Sequence, residues 1–349
     1  MIDPLPSTTR QTTRSLPAFS TLDESFSQDQ RLELIQAYGS FSLAYSTAVQ
    51  PGLSYFGNDE GYLAFMRKWG ITFVLGDPVI ASENMEALLD QFTKSYRKPS
   101  FCQISYPTAK LLHERKYWVN EMGVDTALEL DNYDFAGKTK ERFRYAANWL
   151  MRRDYTIEEF SYEDIDQQKI NEIVNSWRKQ KSVSKESAFL NRPFTYGDEP
   201  GVRTFFLLDP DKKAVAFVVF DPLYQSGRLV GYVTSFKRRG EDAPSQAEAG
   251  IAKIAIEKLK SEGVERVMLG LSPLANIEDK DFKRSNPIMR FSFRRGFKSR
   301  LINKYFYNIL GHADYKRRFG GVEHKCYYAS PVFANDIRFF GMMRLCKVI

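Results

Sequence analysis

The sequence has few of the residues that build disulfide frameworks or metal sites. Its 349 residues include three cysteines and three histidines. Cys102, Cys326 and Cys346 are too few and too far apart for a disulfide framework or a zinc ribbon. His324 and Cys326 lie close together, but two ligands do not complete a metal site. We therefore expect no metal site in this protein.

The sequence also lacks any apolar run long enough to cross a membrane, and its first residues do not follow the basic, apolar, small-residue order of a signal peptide. We expect a cytoplasmic protein, with a peripheral contact at the inner face of the membrane as a further possibility. Residues 1–24 are rich in Ser, Thr and Pro without an apolar period, which predicts a disordered tail.

The length and the apolar content of 43% exceed what one compact domain usually needs. We predict two halves packed as one body, with a boundary near Phe135. The predicted N-terminal half covers residues 25–135, and the predicted C-terminal half, which carries the active site, covers residues 136–330. Residues 331–349 form a predicted amphipathic tail.

The stretch from Lys213 to Ala275 organises the rest of the chain. Two runs rich in Val, Phe and Tyr flank a turn at residues 225–227, a helical pattern follows, and residues 264–275 form a third strand-like run. This strand-strand-helix-strand order resembles the core of the GNAT acyltransferase architecture, in which two neighbouring strands splay apart. Residues 73–80 and 217–224 share four of eight residues, which suggests an internal duplication.

Positive charge is concentrated in two segments. Twelve Lys or Arg and three acids lie between Asp279 and Gly320, although the net charge of the whole chain is +7. In the predicted helix of residues 137–155, Lys140, Arg144 and Arg152 fall on one stripe beside an apolar face. A solvated surface explains such a stripe, but two basic segments in one chain favour a polyanionic partner.

Several motifs together resemble a known family. They cover most of the chain from about Gln30 to Ser330 and are similar to the cytosolic synthase domain of the multiple peptide resistance factor, that is, the lysyl- or alanyl-phosphatidylglycerol synthases, and to soluble relatives that use aminoacyl-tRNA. The motifs are GDP at 76–78, GVDTALEL at 123–130, FAGKTKERFRYAAN at 135–148, FDPLY at 220–224, VGYVTSF at 230–236, MLGLSPLA at 268–275 and YFYNILGHADYKRRFGG at 305–321.

The resemblance implies an α/β protein with a tandem GNAT-like fold of two mixed-sheet halves. It implies an aminoacyltransferase that moves an amino acid from charged tRNA to the hydroxyl or similar nucleophile of a lipid head group or small molecule. Aminoacyl-tRNA is then a co-substrate, and no cofactor is expected. The lysyl enzymes place an acid shortly after a helix glycine, whereas Gly250 is followed by Ile251, Ala252 and Lys253. A neutral or acidic amino acid is therefore favoured over lysine.

Two other functions stay open. An N-acyltransferase that uses acyl-CoA needs a pyrophosphate-binding loop, and the nearest match, at residues 246–252, is one residue too long. The second alternative is a non-catalytic RNA-binding module. The GLSPL segment at 270–274 lacks the second glycine of a hydrolase nucleophile elbow.

The candidate site residues come from strand ends and from the closing motif. As catalytic residues we predict Asp221, at a strand end, to order the amine or act as a base; Tyr232 to donate to an oxyanion; and Lys316 to neutralise a phosphate or the oxyanion. Their structural alternatives are a turn cap, a core tyrosine and a surface lysine. The predicted substrate contacts are Ser272, Asn308 and Tyr224, and the predicted tRNA contacts are Lys140, Arg144, Arg152, Arg294, Arg295 and Lys298.

The last segment has apolar residues near helical spacing, among them Phe333, Ile337 and Phe340, together with basic residues. This pattern is compatible with a helix lying at a lipid surface. The apolar residues spread around the helix, however, and this favours a terminal helix docked on the core.

Overall fold

The structure is a computed structural model that describes residues 17–179, 186–333 and 336–348. The strand-strand-helix-strand order predicted for residues 213–275 is present. The first helix begins after a capping box that Ser27 and Gln30 form. The strands are β1 Ser20–Leu22, β2 Ser54–Asn58, β3 Gly61–Lys68, β4 Ile71–Leu75, β5 Val79–Ile80, β6 Ser100–Ile104, β7 Trp118–Glu129, β8 Thr156–Glu159, β9 Arg203–Leu208, β10 Ala214–Gln225, β11 Arg228–Arg239, β12 Arg266–Pro273 and β13 Val322–Ser330. The helices are α1 Gln28–Tyr38, α2 Ala44–Val49, α3 Met85–Ser95, α4 Tyr106–Glu114, α5 Glu141–Met151, α6 Gln167–Lys179, α7 Ala247–Ser261, α8 Pro287–Lys298, α9 Ile309–Arg317 and α10 Asp336–Leu345.

The strands of the described residues form one continuous mixed sheet. Its order is β1-β2-β3-β4-β6-β13-β7-β12-β11-β10-β9-β8, and β5 pairs with β3 beside this path. The last strand, β13, lies between β6 and β7, while β7 pairs with β12. Each half therefore lends its final strand to the other, and the two predicted halves share a single sheet.

A repeated unit accounts for both halves of the sheet. In the first, β3 and β4 are antiparallel neighbours, α3 crosses over, and β6 pairs parallel to β4. In the second, β10 and β11 are antiparallel, α7 crosses over, and β12 pairs parallel to β11. The similarity of residues 73–80 to 217–224 aligns β4 and β5 with β10, whose topological equivalent is β3. That local likeness therefore does not reflect the repeat.

The predicted disordered tail is wrong for its described residues. Ser20–Leu22 forms the edge strand β1, which pairs with β2. The Phe19 side chain, next to this strand, is buried in a hydrophobic core cluster. Burial of an aromatic side chain supplies about 1.5–3 kcal/mol, which helps to hold this short strand in place. Residues 1–16 lie outside the described residues.

Helix α5 shows how the apolar pattern becomes packing. The predicted inward residues Phe143, Ala146, Ala147 and Leu150 are all buried. This face packs against α7, where a Cβ at Gly250 would lie 2.3 Å from Leu150 Cδ1. Glycine at 250 therefore leaves room for the Leu150 side chain between the two helices, and any larger residue would displace that side chain. Together, α5 and α7 form the helical layer that covers β10, β11 and β12.

Helix α10 docks on the core, as the sequence analysis favoured. Met342 and Cys346 are buried, and the Phe339 ring packs at a tilt of 47° against that of Phe293 of α8, with ring centroids 4.8 Å apart. Ile337 and Phe340 remain exposed on the other side of the same helix. The tail is thus part of the packed body, yet it keeps an apolar outer surface.

Candidate functional site

The two parallel strands of the second repeat separate along their length. Pairing of β11 with β12 ends at Val233 and Met268. Gly270 then adopts φ 76°. The pairing of β12 with β7, which begins at Arg266, shifts register between Met268 and Leu271 and continues to Pro273 without β11 on the other side. The bulge before Leu271 turns β12 away from β11, so the backbone opens into a fork as the resemblance implied.

A small pocket of about 50 Å³ lies in this fork. The predicted C-terminal half supplies most of its lining, and the first half closes it through the segment before and within α2 and through Gln103 of β6. The pocket therefore depends on both halves. Its lining residues are Ser42, Leu43, Ser46, Gln103, Leu190, Asn191, Arg192, Asp221, Val233, Thr234, Ser235, Phe236, Gly270 and Leu271.

Lys316 reaches the edge of this pocket from α9. Ile309, Ala313 and Lys316 are the buried residues of that helix, so the lysine occupies an inward position at helical spacing. Its Nζ atom donates to the carbonyl oxygens of Gly270 at 2.8 Å and Leu271 at 2.7 Å. An ammonium has three N–H donors, so one donor remains beyond these two bonds.

The environment of Lys316 makes its charge costly. Burial is the main cause that lowers its pKa to about 7, the charge of Lys237 lowers it further, and Asp125 partly opposes both. The predicted alternative of an exposed surface lysine is therefore wrong. A lysine with such a pKa exchanges a proton near neutral pH, which is a property of catalytic sites.

Asp125 is a site residue that the sequence analysis missed. It lies in the middle of β7, is buried, and its Oδ1 has no hydrogen-bond partner. Burial raises its pKa, while a hydrogen bond with Ser42 and the charge of Lys316 partly offset that rise. A charged residue inside the apolar run GVDTALEL was the available signal.

Arg192 is the second missed residue, and it changes the interpretation of Asp221. The guanidinium donates to Asp221 through Nη2 at 2.8 Å and Nε at 3.1 Å, and Nη1 lies 2.7 Å from a carboxylate oxygen of Glu199. Ser235 Oγ donates to the same aspartate at 2.9 Å. Asp221 is not at a strand end, because β10 continues to Gln225. The predicted turn cap is therefore wrong, and the carboxylate is the partner of a buried arginine.

Several polar atoms around the pocket have no partner. Gln103 Oε1, Thr234 Oγ1 and the Tyr45 hydroxyl are buried without a hydrogen bond. Gln103 also has φ 54°, which is unusual for a residue other than glycine. Buried unsatisfied groups and backbone strain in one place indicate a site that a polar ligand completes.

The structure does not bring the other predicted residues to the pocket. Tyr232 lies in the core cluster under α5 and α7, with the guanidinium of Arg203 5.6 Å from its ring centroid. Tyr224 is half-buried near Gly201, outside the pocket lining. Asn308 does not lie at a strand end. It precedes α9, and its side chain caps that helix by accepting from Gly311 N at 3.0 Å. Ser272 is buried in β12 opposite Val124. Of the predicted catalytic and substrate residues, Asp221 and Lys316 alone meet at the pocket.

The residues predicted to contact tRNA differ in whether their side chains are free to bind a phosphate. Lys140 donates to Asp134 O at 2.6 Å, and Arg144 donates to Gly137 O at 2.7 Å, so both hold the loop before α5. Arg152 is exposed beyond the end of α5. On α8, Arg294 donates to Ile277 O at 2.8 Å, while its neighbours Arg295 and Lys298 are exposed.

The described parts of the chain offer neither a cluster of metal ligands nor a membrane-spanning helix. Within residues 17–179, 186–333 and 336–348, no group of three or more His, Cys, Asp or Glu side chains is arranged to hold a metal ion. None of the helices in the same ranges combines the length and the apolar character that a membrane span requires.

Comparisons with solved structures give the fold. The chain is similar to L-PGS from Bacillus licheniformis, with 19% identity, a TM-score of 0.73 and coverage of 91% of this chain and 96% of that one. A putative lysylphosphatidylglycerol synthetase C-terminal domain from Agrobacterium fabrum matches with 17% identity, a TM-score of 0.73 and coverage of 92% and 96%. FemX matches with 9% identity, a TM-score of 0.52 and coverage of 93% and 100%. The predicted tandem GNAT-like α/β fold is confirmed.

Comparisons of sequence give the family. An uncharacterized protein of Corynebacterium glutamicum is 20% identical over 227 residues, which are 62% of this chain and 28% of that protein. The chain thus spans about a quarter of the length of this curated relative. The sequence profile of the family described as "Phosphatidylglycerol lysyltransferase, C-terminal" matches residues 32–330. With that match over most of its length, and with the fork and pocket of the fold, the chain belongs to the family of phosphatidylglycerol lysyltransferase C-terminal domains.

Proposed function

We propose that this protein is an aminoacyltransferase that moves an amino acid from charged tRNA to a hydroxyl of a lipid head group such as that of phosphatidylglycerol. The observation that carries the proposal is the placement of Lys316. Its ammonium is fixed at the fork by two carbonyl oxygens and retains one donor. A fixed, buried donor at a strand fork suits the stabilisation of a developing oxyanion.

The reaction needs little beyond alignment and charge stabilisation, because an aminoacyl ester is already activated. The acceptor hydroxyl attacks the ester carbonyl, and a new C–O bond forms as the carbonyl oxygen gains negative charge. Lys316 donates its remaining N–H to that oxygen. The tetrahedral intermediate then collapses, the bond to the tRNA ribose oxygen breaks, and this oxygen leaves with a proton.

Asp125 is the group we assign to accept the proton of the acceptor hydroxyl. Its Oδ1 is buried and free of hydrogen bonds, and burial raises its pKa. A carboxylate with a raised pKa is a stronger base than an exposed one. Protonated Asp125 then supplies the proton that the leaving ribose oxygen takes up.

The donor amino acid is neutral in this proposal. Asp221 and Glu199 already share the buried guanidinium of Arg192, and Asp125 interacts with Lys316. The pocket therefore holds no spare carboxylate for a second ammonium such as that of lysine. The α-ammonium that every aminoacyl ester carries is held by the net negative charge of the Arg192, Asp221 and Glu199 group.

The tRNA contacts follow from exposure and charge. Arg152, Arg295 and Lys298 are exposed cations, and they are the primary candidates for phosphate contacts. Lys140, Arg144 and Arg294 bond to backbone carbonyl oxygens and contribute positive potential beside them.

The test is incubation of the protein with a mixed pool of charged tRNAs and vesicles that contain phosphatidylglycerol, followed by mass spectrometry of the lipid fraction. We expect one neutral amino acid to appear on the lipid in the presence of wild-type protein. Acyl transfer from acyl-CoA instead would support the N-acyltransferase. Tight tRNA binding without transfer to any acceptor would support the RNA-binding module.

A second experiment tests whether tRNA is the donor, through the salt dependence of tRNA binding. Reversing Arg295 and Lys298 to Glu should weaken tRNA binding and reduce the slope of log affinity against log salt by about 0.7–0.9 for each lost contact. The matched control reverses Lys94 and Lys110, which are exposed on α3 and α4. Equal slopes in both double variants contradict the tRNA surface.

A further inference from the structure

An exposed apolar surface lies where the β3–β4 turn meets α10. Trp69 is 52% exposed, Phe340 is 49% exposed, and their rings stack with centroids 5.9 Å apart. Ile337, one turn earlier on α10, is 72% exposed. The turn and the helix are distant in the sequence, so this surface exists only in the folded chain. We call Trp69, Ile337 and Phe340 the tail patch.

Basic side chains flank the tail patch. Arg67 and Lys68 are the last residues of β3, directly before Trp69, and Arg344 and Lys347 follow Phe340 along the tail; all four are exposed. Among the described residues, none of these four takes part in an ion pair with an acid. An apolar centre with a basic rim complements a surface that is apolar inside and negatively charged outside.

The opposite side of α10 packs on a hydrophobic cluster that includes residues of the pocket wall. Phe339, Met342 and Cys346 belong to one hydrophobic cluster with Leu190 and Leu271, both of which line the pocket. The backbone oxygen of Cys346 also accepts from Ala188 N at 3.3 Å. Helix α10 therefore joins the tail patch to the cluster that supports two residues of the pocket wall.

We propose that the tail patch docks on an anionic lipid bilayer and brings the pocket next to the membrane surface. The proposal rests on the proposed function, because it concerns how the enzyme reaches a lipid acceptor. Tryptophan and other aromatic side chains prefer the membrane interface, and basic side chains beside them are attracted to anionic head groups. The most exposed member is the aliphatic Ile337, which inserts among acyl chains but offers no ring to a nucleic-acid base.

The experiment measures flotation of the full chain with vesicles. The test variant carries Trp69→Asn and Phe340→Ser, where Asn is chosen because residue 69 has φ 51°. We expect wild type to float with vesicles of phosphatidylglycerol and phosphatidylcholine but not with phosphatidylcholine alone. The variant should lose at least tenfold in partitioning. The variant should unfold cooperatively at a somewhat lower melting temperature, because both side chains are about half exposed and lose only part of their burial.

The matched control is Phe291→Ser, because Phe291 is 70% exposed on α8 and also lies among arginines. It should float like wild type. Full flotation of the Trp69→Asn, Phe340→Ser variant overturns the proposal, and so does a loss confined to Phe291→Ser. If wild type is a dimer and the double variant is a monomer, the tail patch binds a second copy of the chain instead. If the double variant binds tRNA more weakly than wild type, the tail patch binds RNA instead.

A soluble acceptor separates this inference from the proposed function. With the deacylated head group of phosphatidylglycerol in solution, the double variant should transfer as fast as wild type, whereas transfer to vesicles should fall at least tenfold. Equal transfer to vesicles overturns docking. If wild type transfers to neither acceptor, the proposed function fails, while flotation still decides the docking.

Discussion

The two forks of the sheet have the same topology but different contents. In the first repeat, β4 and β6 stay connected, because Gly76 N donates to Cys102 O at 2.9 Å beyond the last strand pair. Asp77 then accepts from Ser105 N at 2.9 Å. In the second repeat the pairing ends at Val233 and Met268, and the fork opens on the pocket with Lys316 at its edge.

The comparison teaches how a repeated scaffold acquires one site. The first fork is closed by backbone and side-chain hydrogen bonds, and beyond it Gln103 of β6 becomes part of the wall of the other pocket. The exchanged strand β7 brings Asp125 of the first half beside Lys316 of the second. A duplicated unit thus supplies one fork for chemistry and one for support, so equivalent changes in the two forks should have different effects.

The largest effect is expected for Asp221→Asn compared with Asp77→Asn. Asp221 accepts two hydrogen bonds from the buried Arg192, and breaking a buried ion pair costs up to about 3–5 kcal/mol of unfolding free energy. Glu199 keeps its own contact with the guanidinium and offsets a part of that cost.

Asp77 has no cationic partner among the described residues. It accepts the backbone N–H of Ser105 and hydrogen bonds from the Thr108 and Ser105 side chains, and an asparagine oxygen also accepts such neutral donors, so we expect a loss of about 1 kcal/mol. Urea unfolding measures the loss of unfolding free energy in each variant. Similar losses in the two variants contradict the contrast between the forks.

The next effect is that of Lys316→Ala on turnover. Removing an oxyanion donor lowers the rate by about 10²–10³-fold, and we expect this range without loss of tRNA binding. Because the pKa of Lys316 is about 7, its ammonium is lost as pH rises through that value, and the wild-type rate should fall there if the donor is essential. A rate that rises through pH 7 would assign Lys316 the role of base.

Stability gives an independent check of the same pKa. Between pH 7 and pH 10 the unfolded chain holds a proton on Lys316 that the folded chain has released, so wild-type stability gains with pH in this window. The gain should be absent in Lys316→Met. If the free energies of unfolding of wild type and Lys316→Met differ by the same amount from pH 6 to pH 9, the lowered pKa of Lys316 is contradicted.

The smallest effect compares Gly76→Ala with Gly270→Ala. Both glycines have positive φ, at 68° and 76°, so each alanine costs about 1–2 kcal/mol in backbone strain. At 76 the new Cβ would also lie 2.7 Å from Phe41 Cε2, whereas at 270 its nearest neighbour is Lys316 Nζ at 3.7 Å. We expect Gly76→Ala to lower the melting temperature more and to retain turnover. Gly270→Ala should lower turnover, because the methyl group occupies space in front of the ammonium.

Local patterns in the sequence predicted much of the scaffold. The apolar face of α5 and the hairpin, helix and strand around residues 213–275 are found as expected, because they depend on neighbours a few residues apart. Lys316 was identified through its motif. Its inward position also follows from helical spacing, since Ile309, Ala313 and Lys316 share one side of α9.

The tertiary structure alone decided how these elements meet. Periodicity reports which side of an element is apolar but not which strand lies beside it, so the insertion of β13 between β6 and β7 was not predictable from the sequence. The pairing of Arg192 with Asp221 and the approach of Asp125 to Lys316 depend on that arrangement. The sequence determined that Lys316 carries an amino group on an inward helix face. Its low pKa arises only in the folded chain, because burial and the charge of Lys237 destabilise the ammonium there.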